Sequence, residues 1–139
     1  MKYLLDTNVL SEIRKPHGHT RVKAFVSGLQ EEDIFISALT IGEINFGIQK
    51  LPSGQKKTEL LIWLTQKLPE WFGNRIIPLD TDIMTEWGRL QAETPKTLPV
   101  VDSLIAATSL VHHLTLVTRN TKDFERVMGI TLLNPWEEA

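Results

Sequence analysis

The chain contains no cysteine. That removes disulfides, thiolate metal ligands and a thiol nucleophile, and it suits a reducing, cytoplasmic setting. Long apolar runs are missing too: none reaches the ~18 residues that a membrane-spanning helix needs. Positive charge is not in excess, since 15 Lys and Arg stand against 17 Asp and Glu for a formal net charge of -2. A nucleic-acid surface on such a chain must draw its positive charge from a local patch or from a metal ion. Internal repeats and low-complexity segments are absent. Met1-Lys2 leads straight into an apolar stretch, so no signal peptide is expected. What remains is 42% hydrophobic and 23% charged, as in ordinary globular proteins, and the 139 residues predict a single domain over 1–139.

The first stretch organises the rest. Tyr3-Leu4-Leu5 is apolar without alternation, as in a strand buried on both faces of a parallel sheet. Asp6 follows at the strand's end, where open α/β sheets bind their ligands. Asp6 can be a site acid or the cap of a helix starting near Val9, a task that Asn8 could also perform. Further on, Ile34-Phe35-Ile36, Arg75–Leu79, Leu114–Thr118 and Thr131–Leu133 read as strands, with Pro78 placing the Arg75 strand at an edge. Helices are predicted over 20–29, 38–48, 55–68 and 100–111, with another opening at Ile83. Pro69 is expected to interrupt the helix that begins at Gln55. Gly42 and Gly47 lower helix propensity in 38–48 and imply close packing or a ligand near the backbone. Alternating strands and helices of this kind predict an α/β fold.

Four acids stand where this fold would bring them to one sheet edge: Asp6, Glu43 early in its helix, Asp102 in the first turns of helix 100–111, and Asp123 just after the Leu114 strand. Clustered carboxylates repel unless they are protonated or hold a cation. With no Cys and no His clearly near, the donors are hard oxygens, which points to Mg²⁺ or Mn²⁺ rather than zinc. Such an ion acidifies water, steadies charge on phosphorus oxygens and orients in-line attack. Arg14, Lys15, Lys50, Arg119 and Lys122 are candidates to hold flanking phosphates. Asp80 and Asp82 read as the cap and first-turn acid of the helix that follows. His112 and His113 complement a helix C-terminus. His17 and His19 are a loop pair without a third ligand, although they leave open a metal-free reading that uses them as acid and base.

The stretches Leu4-Leu5-Asp6-Thr7-Asn8-Val9-Leu10, Ile41-Gly42-Glu43-Ile44-Asn45-Phe46-Gly47-Ile48, Asp102-Ser103-Leu104-Ile105-Ala106-Ala107-Thr108 and Leu116-Val117-Thr118-Arg119-Asn120-Thr121-Lys122-Asp123-Phe124 resemble those of PIN-domain proteins, specifically VapC-type toxins of bacterial toxin–antitoxin pairs. The closing Leu133-Asn134-Pro135-Trp136 is similar to one branch of that family. The resemblance implies a three-layer α/β/α fold with a central, mostly parallel sheet of four to five strands. It implies a Mg²⁺-dependent endoribonuclease acting on tRNA or another structured RNA, with Mn²⁺ able to substitute. It also implies inhibition by a small cognate antitoxin, with DNA bound only through that antitoxin. Asp6, Glu43, Asp102 and Asp123 match the family's catalytic acids, with Asp6, Asp102 and Asp123 as metal ligands. Thr7, Thr118 and Asn120 match its supporting positions. A homodimer is expected, with some of Trp63, Trp71, Phe72 and Trp87 at its interface. A receiver or phosphatase domain would want a second acid beside Asp6, where this chain has Thr7 and Asn8. A PIN-like RNA- or protein-binding domain with a dead site is the remaining alternative, against which the intact acidic set argues.

Overall fold

Leu4 and Leu5 are neighbours in one strand, and successive strand residues point to opposite faces, so they enter two different cores. The computed structural model describes residues 1–137. Its strands are β1 (Tyr3–Leu5), β2 (Ile34–Ser37), β3 (Ile76–Ile77), β4 (Thr115–Val117) and β5 (Leu132–Leu133). All four pairings are parallel, in the order β3-β2-β1-β4-β5. β1 is therefore central, with Leu4 opposite Phe35 on one side and Leu116 on the other.

The helices are α1 (Thr7–Arg14), α2 (Thr20–Ser27), α3 (Ala38–Gln49), α4 (Gln55–Ile62), α5 (Leu68–Phe72), α6 (Thr81–Glu93) and α7 (Val100–Val111). On the Leu5 side, Val9, Leu10, Val22, Val26, Ile48, Leu64, Leu68 and Phe72 close a core over Ile34, Ile36 and Val117. On the Leu4 side, Ile83, Leu90, Ile105, Ala106 and Ala107 cover Ile77 and Leu116. The expected three-layer α/β/α arrangement is present. Ala106 and Ala107 are small enough to let α7 lie close to the sheet, which is why seven consecutive α7 residues, Ser103 to Ser109, are buried.

Several local expectations change. The helix from Gln55 is not broken at Pro69. A π-helical turn over Trp63–Lys67 widens it, with Leu68 N–H donating to Trp63 O, and Pro69 sits in the first turn of α5. Proline lacks the N–H that a regular turn requires and crowds the carbonyl four residues back, and a widened turn relieves both faults. The Arg75–Leu79 strand shrinks to Ile76–Ile77, ending before Pro78 as a sheet edge should. The Arg75 guanidinium instead donates to Ile34 O at 2.7 Å. Gly42 and Gly47 are not close-packed, because a Cβ at either would meet open space. Of the four aromatic residues named for an interface, two have clear tasks within the monomer. Phe72 is fully buried, and Trp87 Nε1 donates to Ser103 Oγ at 2.8 Å. Asp80 caps α6 as expected, accepting from Ile83 N at 3.0 Å, and His113 takes the left-handed position just past the end of α7. No helix among the described residues is long and apolar enough to cross a membrane.

Candidate active site

Asp6 ends β1, and its backbone N–H still donates to Val117 O at 2.9 Å, so the residue is tied to β4 before its side chain is considered. It is also the N-cap of α1, which starts at Thr7 rather than near Val9. Its Oδ1 accepts from Thr7 N and its Oδ2 from Thr118 Oγ1, both at 2.8 Å. Cap and site acid are one residue, not alternatives. Thr118 is fully buried. Its hydroxyl also accepts from Asn120 N at 3.1 Å and from Asn8 Nδ2 at 3.4 Å.

Thr7 joins the next segment. Its hydroxyl donates to Glu43 Oε1 at 2.6 Å and stands 3.3 Å from Thr40 Oγ1. Glu43 reaches this edge because Ser37 ends β2 and caps α3, accepting from Leu39 N at 3.0 Å, which puts the first turns of α3 beside those of α1. Asp102 lies in the first turn of α7, and Asp123 closes the single 3₁₀ turn after β4.

Charge links Asp102 to the other three acids, and Asp6 to Asp123. Burial pushes the Asp6 carboxyl above its ordinary value, the hydrogen bonds from Thr118 and Thr7 pull it back in part, and the Asp123 charge raises it further. Asp102 is also raised, first by burial and then by the charges of Asp6, Asp123 and Glu43. None of the four is in an ion pair among the described residues. The donors are hard oxygens with no cation to offset them, which fits Mg²⁺ or Mn²⁺. Among the described residues no group of three or more Asp, Glu or His side chains is arranged to hold a metal ion by itself. A divalent ion at this edge would have to complete its shell with water.

The structure keeps some predicted cations at this edge and removes others. Arg119 and Lys122 lie on the loop between Thr118 and Asp123. Arg14 and Lys15 lie at the far end of α1, about 10 Å along the helix from Thr7, where Arg14 faces the Trp63 ring and Lys15 pairs with Glu12. Lys50 ends α3, with its Nζ 4.2 Å from the Phe46 ring centroid. The helix carries Arg14 and Lys15 away from the edge, whereas Lys50 stays over Phe46, one turn beyond Glu43 on α3. Asn120 supports the site through its backbone N–H rather than its side chain. Asn8 is the residue that sequence reasoning missed. Taken as a spare cap, it instead bridges Thr118 and Arg119, whose N–H donates to Asn8 Oδ1 at 3.3 Å.

A raised carboxylate binds its proton more tightly in the folded than in the unfolded chain. Its penalty on the metal-free fold is therefore absent below the ordinary carboxylate pKa of about 4 and complete above the raised folded value. Asp102 accepts no side-chain hydrogen bond among the described residues, so Asp102→Asn removes charge and little else. In urea melts without metal, Asp102→Asn is expected to gain stability over wild type near neutral pH, on the order of 1 kcal/mol, with the gain fading toward pH 4. A gain independent of pH would contradict the repulsion described here.

Comparison with known proteins follows this geometry. The PIN domain family matches residues 3–130. Toxin FitB of Neisseria gonorrhoeae is 35% identical over 138 residues, covering 97% of this chain and 99% of FitB. The VapC ribonuclease Y4jK of Sinorhizobium fredii is 32% identical over 139 residues, covering 98% of this chain and 99% of that protein. The structure of FitAB bound to an IR36 DNA fragment superposes with a TM-score of 0.91 at 33% identity, covering 99% of this chain and 97% of that one. The chain belongs to the PIN domain family, in the branch that holds the VapC-type toxins.

Proposed function

We propose that this chain is a Mg²⁺-dependent endoribonuclease and the toxin half of a toxin–antitoxin pair. One observation carries the reading: Asp102 stands in the field of Asp6, Asp123 and Glu43, which come from three other segments, and none of the four is in an ion pair among the described residues. The relatives agree in kind, since Y4jK is named a ribonuclease and FitB a toxin. A similar toxin–antitoxin complex from Klebsiella pneumoniae and the FitAB structure on DNA support a cognate antitoxin as partner. In this reading the antitoxin is small and DNA reaches the toxin only through it. The substrate is RNA, tRNA or another structured RNA.

Asp6, Asp102 and Asp123 would hold the ion, with Mn²⁺ able to substitute. Bound there, it supplies charge neutralisation at the phosphoryl oxygens and acidification of water. The chain's own residues do the rest. Thr7 and Thr118 orient Asp6 through its two oxygens, and Thr7 holds Glu43 by Oε1. That leaves Glu43 Oε2 to take a proton from the attacking water. The water oxygen forms the new bond to phosphorus, the P–O3′ bond breaks, and the 3′ oxygen leaves as a hydroxyl, protonated by solvent water, to which Glu43 returns the proton it took. Arg119 and Lys122 hold flanking phosphates. The enzyme is expected to cut RNA with Mg²⁺, stop on addition of EDTA, and leave 5′-phosphate and 3′-hydroxyl ends. Asp6→Asn is expected to lose at least about a hundredfold in rate. Cleavage that survives EDTA and leaves 2′,3′-cyclic phosphates would move the chemistry to His17 and His19. Metal binding without cleavage of any RNA would leave a binding domain.

The same reading includes a homodimer, and an exposed apolar groove beside Glu43 is a further candidate for its interface. Phe46, Leu79 and Val101 are exposed and line one groove beside Glu43, and Val100 and Met84 add further exposed apolar surface nearby in the chain. A contiguous apolar patch of this kind is costly to leave in water. Light scattering at micromolar concentration should give a dimer, and Phe46→Glu a folded monomer. A monomeric wild type would contradict it.

A further inference from the structure

We propose that the C-terminal Asn134-Pro135-Trp136 turn is part of the RNA site, seating Arg119 as a fixed clamp for a phosphate next to the scissile bond. The proposal rests on the nuclease reading above and extends it to a motif that reading leaves without a task.

Arg119 follows Thr118 directly and so stands at the same sheet edge as Asp6. Its backbone is held from both sides. The N–H donates to Asn8 Oδ1 at 3.3 Å, and the carbonyl accepts from Asn134 Nδ2 at 3.2 Å. Asn134 also folds the end of the chain: its Oδ1 accepts from Trp136 N at 2.9 Å, and its carbonyl accepts from Glu137 N at 3.2 Å. Pro135 is buried beneath this turn. The turn brings the Trp136 ring to 5.2 Å from the Arg119 guanidinium carbon. The His19 ring also lies against this indole, at 6.4 Å between ring centroids, and Arg21 donates to the Trp136 backbone carbonyl at 3.3 Å.

Arg119 is exposed, and no ion pair involves it among the described residues, although four carboxylates share its edge of the sheet. A guanidinium stacked on an indole spends its flat face on the ring and keeps its N–H edge for a ligand. That edge matches two phosphate oxygens at once, and a half-buried indole beside it offers a surface to a base or sugar. An acidic cluster repels a polyanion, so a cation locked just outside it is what the neighbouring phosphate requires. Arg119 makes the contact, and Trp136 is a positioning residue that acts through it.

The test uses the full chain carrying Glu43→Gln to silence cleavage, with Mg²⁺ present, and a fluorescent single-stranded oligoribonucleotide of about ten nucleotides. Arg119→Gln should weaken binding about tenfold and lower the salt slope by about 0.7. Trp136→Leu leaves every charge in place, yet should weaken binding several-fold and lower the same slope, with Trp136→Phe restoring most of the loss. Arg119→Lys should lose affinity with the slope kept, because it retains the charge but not the fork. In the cleaving enzyme these changes should raise KM more than they lower kcat. If Trp136→Leu does not fold, Trp136→Phe and Arg119→Lys carry the test, and equal affinity in both overturns the proposal. A lowered melting temperature for Trp136→Leu with unchanged affinity and slope makes Trp136 a structural residue and overturns it. Loss of affinity for the antitoxin alone, with RNA binding intact, overturns it in favour of a protein partner. A wild type that cuts RNA while all the variants bind normally overturns this proposal alone; a wild type that neither binds nor cuts RNA overturns the nuclease reading with it.

Discussion

The Asp6 carboxylate is held by two hydrogen bonds from different segments, one from the Thr7 backbone at the head of α1 and one from the Thr118 hydroxyl just past β4. Both favour its ionised form, while burial and the nearby Asp123 oppose it, and the opposition prevails. The fold therefore keeps a charge at the end of its central strand in a place where that charge is unfavourable. It can do so because the residue is fixed by more than its own side chain: the strand ladder fixes its backbone, and the start of α1 depends on its cap. A group so constrained cannot relax away from its neighbours, and a divalent cation is the natural means of relief.

Three consecutive residues tie three segments of the site together. Asp6 reaches Thr118, Thr7 reaches Glu43, and Asn8 reaches Thr118 and Arg119. This works because β1 lies between β2 and β4, so the first residues of α1 have the segment after β2 on one side and the segment after β4 on the other. Ligand crevices in open α/β sheets arise at such points, where the chain leaves a central strand and its neighbours lie to both sides. Asp102 joins them from α7, whose small and apolar residues let its first turn sit close.

Much of this was legible in the sequence because it rests on local rules. Unalternating apolar runs marked the strands, and acids directly after them marked the edge. What was not legible depends on direction and on partners distant in sequence. Arg14 and Lys15 follow a site segment in the chain, but one helix length carries them off. Phe72 and Trp87 looked like surplus aromatics until the two cores were seen to use them. Asn8 looked like a cap because a cap needs only local sequence, whereas its clasp with Thr118 spans 110 residues. Pro69 looked like a helix breaker because the compensating π turn has no plain sequence signature.

The central claim is that the converging acids form one cation site. Calorimetric titration of Mn²⁺ into the metal-free chain tests it most directly, with Asp6→Asn and Asp102→Asn as site variants and Asp80→Asn, at the α6 cap, as control. The account predicts measurable binding by wild type and by the control, weakened at least about tenfold in both site variants. Equal Mn²⁺ affinity in all four proteins, or none in wild type, would contradict it.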